Sequence, residues 1–207
     1  MRPDRLIAVL GTGTGVGKTW VAADVLGALR AAGLSVAARK PVQSFAPCDV
    51  ETDADVLALA TGDAPYDICR EHRWYPMAMA PPIAAAFLGM PPPTLDELLA
   101  ELVWPDGTDV GLVETVGGPR SPLAVDGDSA GLAAALAPHL SVLVSPAGLG
   151  AINAVRLCAP TLPQPFVVFL NRFDRTDVHD GNLRWLQGDG FEVVVDPKQL
   201  AARVAGR

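Results

Sequence analysis

Residues 11–19, which read Gly-Thr-Gly-Thr-Gly-Val-Gly-Lys-Thr, constrain this chain more than any other stretch. They follow the apolar run Leu6 to Leu10 and precede a segment with helical spacing of apolar residues. A glycine-rich turn between a strand and a helix directs backbone N–H groups and the positive end of the helix dipole toward a phosphate. We therefore predict a phosphate-binding loop, in which Lys18 reaches the terminal phosphates and the Thr19 hydroxyl binds Mg²⁺.

The spacing of this loop departs from the usual one. The pattern G-x-x-x-x-G-K-[ST] requires a glycine five residues before Gly17, and that position holds Thr12. The glycine stands one residue earlier, at Gly11, so the loop is one residue longer. A glycine-rich turn without a ligand is the alternative interpretation.

Composition and charge narrow the class of protein. The 207 residues are half hydrophobic and 19% charged, which favours one globular domain over residues 1–207. A net charge of −7 argues against non-specific binding to nucleic acid or to an anionic membrane. Three cysteines without a C-x-x-C pair indicate neither a disulfide framework nor a zinc site. No signal-peptide pattern opens the chain and no apolar run is long enough to span a membrane, so we expect a cytoplasmic protein.

Short, continuous apolar runs alternate with segments of helical periodicity. The runs predict strands at Leu6–Leu10, Ser35–Arg39, Val110–Val113, Ser141–Ser145, Phe166–Leu170 and Glu192–Val195. The periodic segments predict helices at 18–32, 53–61, 83–88, 94–103, 129–137, from 151, 179–187 and 198–204. This alternation predicts an α/β fold, with one parallel, doubly wound sheet and helices on both faces.

Polar residues follow several of the predicted strands. Lys40 ends the second strand, Glu114 the next, the segment 148–153 follows another and Asn171 another. Because ligands of such sheets bind beyond the carboxyl ends of the strands, we expect these residues to share one edge with the phosphate loop.

Carboxylates at this edge predict a metal site. Glu114 could hold Mg²⁺ beside Thr19, and either Asp53 or Asp55 could add a further carboxylate. The alternatives are a solvated glutamate at a strand end and acids that stabilise the start of a helix.

Lys40 adds a second lysine, which exceeds what nucleotide binding alone requires. Its predicted task is to hold an anionic acceptor next to the γ-phosphate, and the alternative is a surface lysine. The residues alone therefore predict either an enzyme that uses Mg²⁺ and ATP to activate a small anion, or an ATP-driven switch of the same fold.

Four motifs in this order resemble the dethiobiotin synthetase family, ATP-dependent ligases that close the ureido ring in biotin synthesis. The motifs are Gly11 to Thr19, Lys40-Pro41-Val42-Gln43-Ser44, Val113-Glu114-Thr115-Val116-Gly117-Gly118 and Leu149-Gly150-Ala151-Ile152-Asn153. The resemblance extends from Ile7 to about Asp174 and implies a fold of the P-loop NTPase type.

The resemblance also implies a reaction and a site. Its substrates are 7,8-diaminononanoate, CO₂ and ATP, and the family is a homodimer with sites at the interface. The implied catalytic residues are Lys18, Lys40 and Ser44, and the implied Mg²⁺ ligands are Thr19, Asp55 and Glu114. Asp55 is preferred to Asp53 because the family's acid begins an Asp-x-Leu-Ala-Leu run. The implied nucleotide contacts are Thr14, Gly15, Val16, Gly17, Lys18, Thr19 and Asn171, where Asn171 reads the base. The implied substrate contacts are Thr12, Lys40, Ser44, Gly117, Gly118, Leu149, Gly150 and Asn153.

Three residues depart from the family pattern. Gly13 stands where the family often has aspartate, Ala154 stands where it often has histidine, and Thr115 replaces a usual glycine. If that glycine serves a positive φ or a close backbone approach, Thr115 carries a conformational cost.

Two other classes share the fold or the chemistry. A ParA- or MinD-like ATPase switch has a signature lysine early in the loop, where this chain has Gly13. A cobalamin-type amide ligase carries a glutaminase domain, for which this chain has no room. The sequence therefore favours the ligase, with the partner-binding switch as the alternative.

Overall fold

A six-stranded parallel sheet forms the centre of the protein. The computed structural model describes residues 2–206. The strands are β1 (Arg5–Gly11), β2 (Val36–Arg39), β3 (Gln43–Ser44), β4 (Trp74–Tyr75), β5 (Val110–Glu114), β6 (Pro122–Ala124), β7 (Gly127–Asp128), β8 (Leu140–Pro146), β9 (Phe166–Asn171) and β10 (Val193–Val194). The order across the sheet is β10-β9-β8-β1-β5-β2, so β1 lies between β8 and β5. All pairings in this sheet are parallel, as helical crossovers require.

Helices connect the strands on both faces of the sheet. They are α1 (Lys18–Ala31), α2 (Asp53–Thr61), α3 (Pro65–Ile68), α4 (Pro81–Phe87), α5 (Leu95–Ala100), α6 (Ser129–Leu136), α7 (Ala151–Cys158), α8 (Asp177–Gly188) and α9 (Pro197–Val204). Short 3₁₀ turns lie at Glu71–Arg73 and Ala159–Thr161.

Strand β1 is buried on both faces because its side chains alternate between two cores. Ile7 and Val9 pack in the core that also contains the apolar residues of α1 and α9. Ala8 and Leu10 point the other way, into the core that contains Val155 of α7. The period of two residues in a strand explains why an uninterrupted apolar run is required here. The fold is therefore the predicted doubly wound α/β class.

The predicted elements agree with the structure apart from their ends. The helix predicted at 83–88 begins earlier, at Pro81, because proline fits the first turn of a helix, where its missing N–H costs nothing. The helix predicted at 94–103 ends at Ala100, and its predicted capping box, Thr94 with Glu97, is present.

Two small pairings were not predicted. Strands β3 and β4 form a parallel pair of two residues each, and β6 and β7 form a short hairpin. Runs of two or three residues carry no periodicity that a sequence can display. These pairings matter because they hold the segments that flank the carboxyl edge of the main sheet.

Within residues 2–206, none of the helices has both the length and the apolarity that crossing a membrane requires.

Helix α2 provides a matched pair of leucines that tests the core. Leu57 is fully buried (0% exposed), whereas Leu59 is 81% exposed. We expect Leu57→Ala to lower the free energy of unfolding by ~2–5 kcal/mol, because it removes buried methyl groups and leaves a cavity. Leu59→Ala should change it by less than ~0.5 kcal/mol. Urea denaturation measures both, and equal losses would show that α2 does not pack as described.

Candidate active site

A cavity of about 650 Å³ lies at the carboxyl edge of the sheet. Register brings the strand ends together there, since Val9 of β1 pairs with Glu114 of β5, and Arg39 of β2 pairs with Val113. The phosphate loop, Lys40 and Glu114 all line this cavity. The sheet therefore gathers the polar strand ends as the sequence predicts.

The phosphate loop uses glycine where the backbone requires it. Gly17 precedes helix α1 with φ = 92°, and Gly15 has φ = 71°, both in the left-handed region that other residues avoid. Lys18 then begins the helix, and its Nζ donates to the carbonyl oxygens of Gly13 (3.3 Å) and Gly117 (3.1 Å). Burial, and next the charge of Lys40, lower the pKa of Lys18 to about 8. The lysine is thus held over the loop, where a negative charge would stabilise its protonated form.

Asn171 stabilises this loop from the end of β9. Its Nδ2 donates to the Val16 carbonyl oxygen at 2.9 Å, and its Oδ1 accepts from the Arg172 backbone N–H. A side chain on Gly17 would collide with the Asn171 amide, so the two residues fit closely. Asn171 uses both amide groups within the chain, and the reading of a base by this residue remains a prediction.

Two carboxylates and two cationic or hydroxyl groups converge beside the loop. The Thr19 hydroxyl lies 2.7 Å from Asp53 Oδ1 and 3.0 Å from Glu114 Oε1. Lys40 Nζ lies 2.6 Å from Asp53 Oδ2 and 2.7 Å from Glu114 Oε1. We call Thr19, Lys40, Asp53 and Glu114 the acid cluster. It joins the ends of β2 and β5 with the starts of α1 and α2.

Burial and pairing act in opposite directions on the pKa values of the acid cluster. Burial alone would lower the pKa of Lys40, but Asp53 and Glu114 outweigh it and raise this pKa above its usual value. Burial would raise the pKa of Asp53, but Lys40 outweighs it and holds this pKa at about 2. Glu114 is fully buried, and burial raises the pKa of its carboxyl despite the neighbouring Lys40. The cluster therefore keeps Lys40 charged and Asp53 ionised at neutral pH.

The structure brings Asp53, and not Asp55, to the acid cluster, whereas the sequence favoured Asp55; which acid binds Mg²⁺ stays a prediction. The Asp55 carboxylate accepts from the Thr52 backbone N–H and hydroxyl, both at 2.8 Å, and so closes a capping box at the start of α2. This box is the two-way bond between a helix N-cap and its third residue. Asp53 is the first residue of the helix and points to Thr19 and Lys40. The sequence run Asp-x-Leu-Ala-Leu does not determine which acid reaches Thr19 and Lys40, because two acids stand two residues apart.

The acid cluster suits Mg²⁺ in the way that nucleotide enzymes use it. Among residues 2–206, no group of three or more His, Cys, Asp or Glu side chains could hold a metal alone. Two carboxylates and one hydroxyl are nevertheless a typical protein contribution, because phosphate oxygens and water complete the octahedron. Glu114 Oε2 is buried without a hydrogen-bond partner among the described residues, which is the environment in which a cation is favoured.

The other predicted substrate residues are divided by the structure. Ser44 lines the cavity, and its Oγ is buried without a partner among residues 2–206. Gly117 also lines the cavity, and Gly118 lies against the backbone of Thr12, whose hydroxyl is 3.4 Å from Ser145 Oγ. Ser44 and Gly117 therefore line the cavity, whereas Thr12 and Gly118 lie behind its lining.

The segment predicted to contact substrate from another subunit lies elsewhere. Leu149, Gly150 and Asn153 are exposed at the start of α7 and do not line the cavity. Leu149 is 92% exposed. Within one chain they are separate from the acid cluster, so their contact with substrate remains a prediction that needs a second subunit.

Thr115 fits its position without the conformational cost that its departure suggested. Its φ is not positive, and its hydroxyl donates to the Val9 carbonyl oxygen at 3.2 Å. The side chain is fully buried between β1 and β5. Threonine therefore adds a hydrogen bond between the two strands that carry the site.

Several lining residues were not found from the sequence. They belong to the start of α1, the segment before α4, the turn after β5 and the end of β9, and include Trp20, Met79, Pro81, Val116 and Arg172. Apart from Val116, which stands in the motif 113–118 without an assigned role, these residues belong to no quoted motif, and distant segments meet here only in the folded chain. The apolar members give the cavity a wall beside its charged edge.

Solved structures show the fold. The chain aligns with a plasmid partition protein from Borrelia burgdorferi (TM-score 0.56, 13% identity, 99% of this chain and 97% of that one). It also aligns with the signal recognition particle receptor FtsY from Elizabethkingia anophelis (TM-score 0.51, 15% identity, 99% and 66%). At these identities the likeness shows the P-loop NTPase fold alone.

Sequence comparisons show the family. A family model described as an AAA domain matches residues 5–164. The ATP-dependent dethiobiotin synthetase of Mycobacterium bovis (strain BCG / Pasteur 1173P2) is 36% identical over 160 residues, which cover 76% of this chain and 68% of that protein. The synthetase of Chromohalobacter salexigens is 37% identical, with 74% and 67% covered, and that of Haloferax mediterranei is 37% identical, with 81% and 72% covered. With the P-loop NTPase fold and the two-lysine cavity, these relatives establish that the chain belongs to the ATP-dependent dethiobiotin synthetase family.

Proposed function

We propose that the protein carboxylates 7,8-diaminononanoate with CO₂ and closes the ureido ring of dethiobiotin, with conversion of ATP to ADP and phosphate. The observation that carries this proposal is the acid cluster, in which Lys40 stands beside Thr19 of the phosphate loop. A nucleotide switch requires the loop and its metal ligands and carries its further lysine within the loop, whereas the second lysine of this chain follows β2 and is buried. Membership of the synthetase family supports the same reaction.

The proposed reaction has three steps. One amine of the substrate adds to CO₂, loses a proton and becomes a carbamate. A carbamate oxygen attacks the γ-phosphorus, and the bond to ADP breaks, which gives a carbamic–phosphoric anhydride. The second amine attacks the carbonyl carbon, phosphate leaves with the bonding electrons, and the ring closes with loss of one proton.

The chain's own residues would bind the anions and stabilise the charge that develops. Lys18 would contact the transferred phosphoryl group, because its Nζ lies between Gly13 of the loop and Gly117 of the turn after β5. Lys40 would hold the carbamate, and the Ser44 hydroxyl, buried beside the cavity, would donate to it. Positioned cations of this kind lower the barrier because they need no reorganisation during transfer.

Thr19, Asp53 and Glu114 would hold Mg²⁺, which would neutralise charge on the β- and γ-phosphates when it is bound. Lys40 contacts the same two carboxylates. The two carboxylates therefore fix the position of Lys40 as well as that of the cation.

The active protein is proposed to be a cytoplasmic homodimer with Leu149, Gly150 and Asn153 on substrate held by the other subunit. Their exposure in the single chain supports this proposal. Asn171 is proposed to contact the nucleotide base, and the backbone of residues 14–19 the phosphates. No nucleic acid or membrane partner is proposed.

The partner-binding ATPase switch is the weaker candidate. The likeness to a plasmid partition protein is one of fold at 13% identity. Gly13 stands where such switches carry their signature lysine, so the loop cannot place that charge across a dimer.

Phosphate release tests the reaction. With ATP and Mg²⁺ present, we expect release to require both diaminononanoate and bicarbonate, because the carbamate is the phosphoryl acceptor. A coupled phosphate assay measures it, and mass spectrometry of the product identifies the ring. Release at the same rate without the diamine would contradict the ligase and favour the switch.

Replacement of Lys40 tests the two-lysine site. We expect Lys40→Ala to keep ATP binding, measured by calorimetry, and to lose most diamine-dependent turnover. Because the buried Glu114 loses its partner, the free energy of unfolding should also fall by ~3 kcal/mol or more. Lys198, the remaining lysine besides Lys18, is exposed on α9, so Lys198→Ala is the matched control and should change neither quantity. If Lys40→Ala loses ATP binding as completely as turnover, Lys40 belongs to the nucleotide site alone.

Two aspartates of α2 test the metal ligand. Asp53→Asn should weaken activation by Mg²⁺ by ~10-fold or more, because it removes a ligand charge from the acid cluster. Asp55→Asn should leave the Mg²⁺ dependence unchanged and lower stability by no more than ~1 kcal/mol, because the amide oxygen still accepts at the capping box but carries no charge. Titration of turnover against Mg²⁺ and thermal unfolding separate the two effects. The reverse pattern would return the ligand role to Asp55.

A further inference from the structure

Arg172 is a cation of the cavity that no step of the proposed reaction uses. It follows β9 and lines the cavity together with Thr14, Gly15 and Lys18 of the phosphate loop. Its Nη2 is 3.4 Å from the Gly15 carbonyl oxygen, a long contact that leaves the remaining guanidinium N–H groups available. The guanidinium therefore lies against the loop.

The backbone holds Arg172 in this place. Its φ is 57°, in the left-handed region that few residues other than glycine adopt. Its N–H donates to Asn171 Oδ1 at 2.9 Å, and Asn171 in turn donates to Val16 of the loop. The strand end, the arginine and the phosphate loop are thus fixed to one another.

The charges of the cavity distinguish Arg172 from the lysines. Lys40 is neutralised by Asp53 and Glu114, and Lys18 is bound to backbone carbonyls. Among residues 2–206, Arg172 forms no salt bridge, and its guanidinium bonds to the loop carbonyl alone. It is a cation beside a phosphate loop without a carboxylate to balance it, which is the electrostatic requirement of an anion site.

We propose that Arg172 binds phosphate oxygens of the nucleoside triphosphate. A guanidinium presents paired N–H donors that match two oxygens of one phosphate, which a lysine cannot do. This inference rests on the proposed use of ATP, and it adds to the family's loop contacts a residue supplied by the end of β9.

Arg175 provides a matched control three residues away. It has φ = 59°, is exposed, and does not line the cavity. Arg172→Gly and Arg175→Gly remove the same charge, and both introduce the residue that best tolerates this backbone conformation. Arg172→Gln is a second variant, closer to arginine in side-chain length. It decides the question if a thermal unfolding measurement shows that the glycine variant is not folded.

Calorimetric titration with ATP and with tripolyphosphate, which has no base or sugar, tests the proposal in the full chain. We expect Arg172→Gly and Arg172→Gln to weaken the binding of both ligands by ~10-fold or more, since a charge-assisted hydrogen bond is lost. Arg175→Gly should bind both as the unmodified protein does.

Three outcomes would overturn the assignment. They are unchanged affinity in the Arg172 variants, an equal loss in Arg175→Gly, and a loss for ATP without a loss for tripolyphosphate, which would place the arginine at the base or sugar. Failure of the unmodified protein to bind ATP would instead contradict the proposed function. The two failures are therefore distinguishable in one set of titrations.

Discussion

The positions of the four residues of the acid cluster depend on two buried charged groups, Lys40 and Glu114, each of which needs a partner. Glu114 ends β5 with no exposure to water, and Lys40 ends β2 with 2% exposure. A charge in such surroundings is costly unless it is paired and hydrogen-bonded. The 2.7 Å contact between them meets this requirement and ties two strand ends together. Asp53 and Thr19 complete the pairing, so the starts of α2 and α1 are tied to the same point. The same contacts therefore balance the charges of the site and hold the strand ends and helix starts together at the sheet edge.

In helix α2, a local interaction holds Asp55 and a distant interaction holds Asp53. The capping box of Thr52 and Asp55 fixes where the helix begins and uses the Asp55 carboxylate within the helix. That placement directs Asp53, two residues earlier, toward Lys40 and Thr19. A cap that stabilises a helix therefore also selects which acid reaches the acid cluster. An acid at position 55 alone would cap the helix without contacting Lys40.

The departures from the family pattern are accommodated by contacts that this chain supplies. Thr115, in place of glycine, is buried without a positive φ, and its hydroxyl donates to Val9 of β1. Gly13 removes a side chain from the loop, and its carbonyl oxygen accepts from Lys18. Arg172 adds a cation on the side of the loop formed by β9.

The sequence alone determined the fold class, the phosphate loop and the membership of Lys40 and Glu114 in one edge. It could do so because short apolar runs, glycine spacing and strand ends are local signals, and parallel sheets bring strand ends to one side. Which of Asp53 and Asp55 lies beside Lys40 was decided by tertiary structure, because both acids satisfy the local pattern and only Asp53 contacts Lys40. The same holds for Arg172, Trp20 and Met79, which lie far apart in the chain and carry no motif. Their convergence depends on crossovers and packing between elements, which no stretch of sequence encodes by itself.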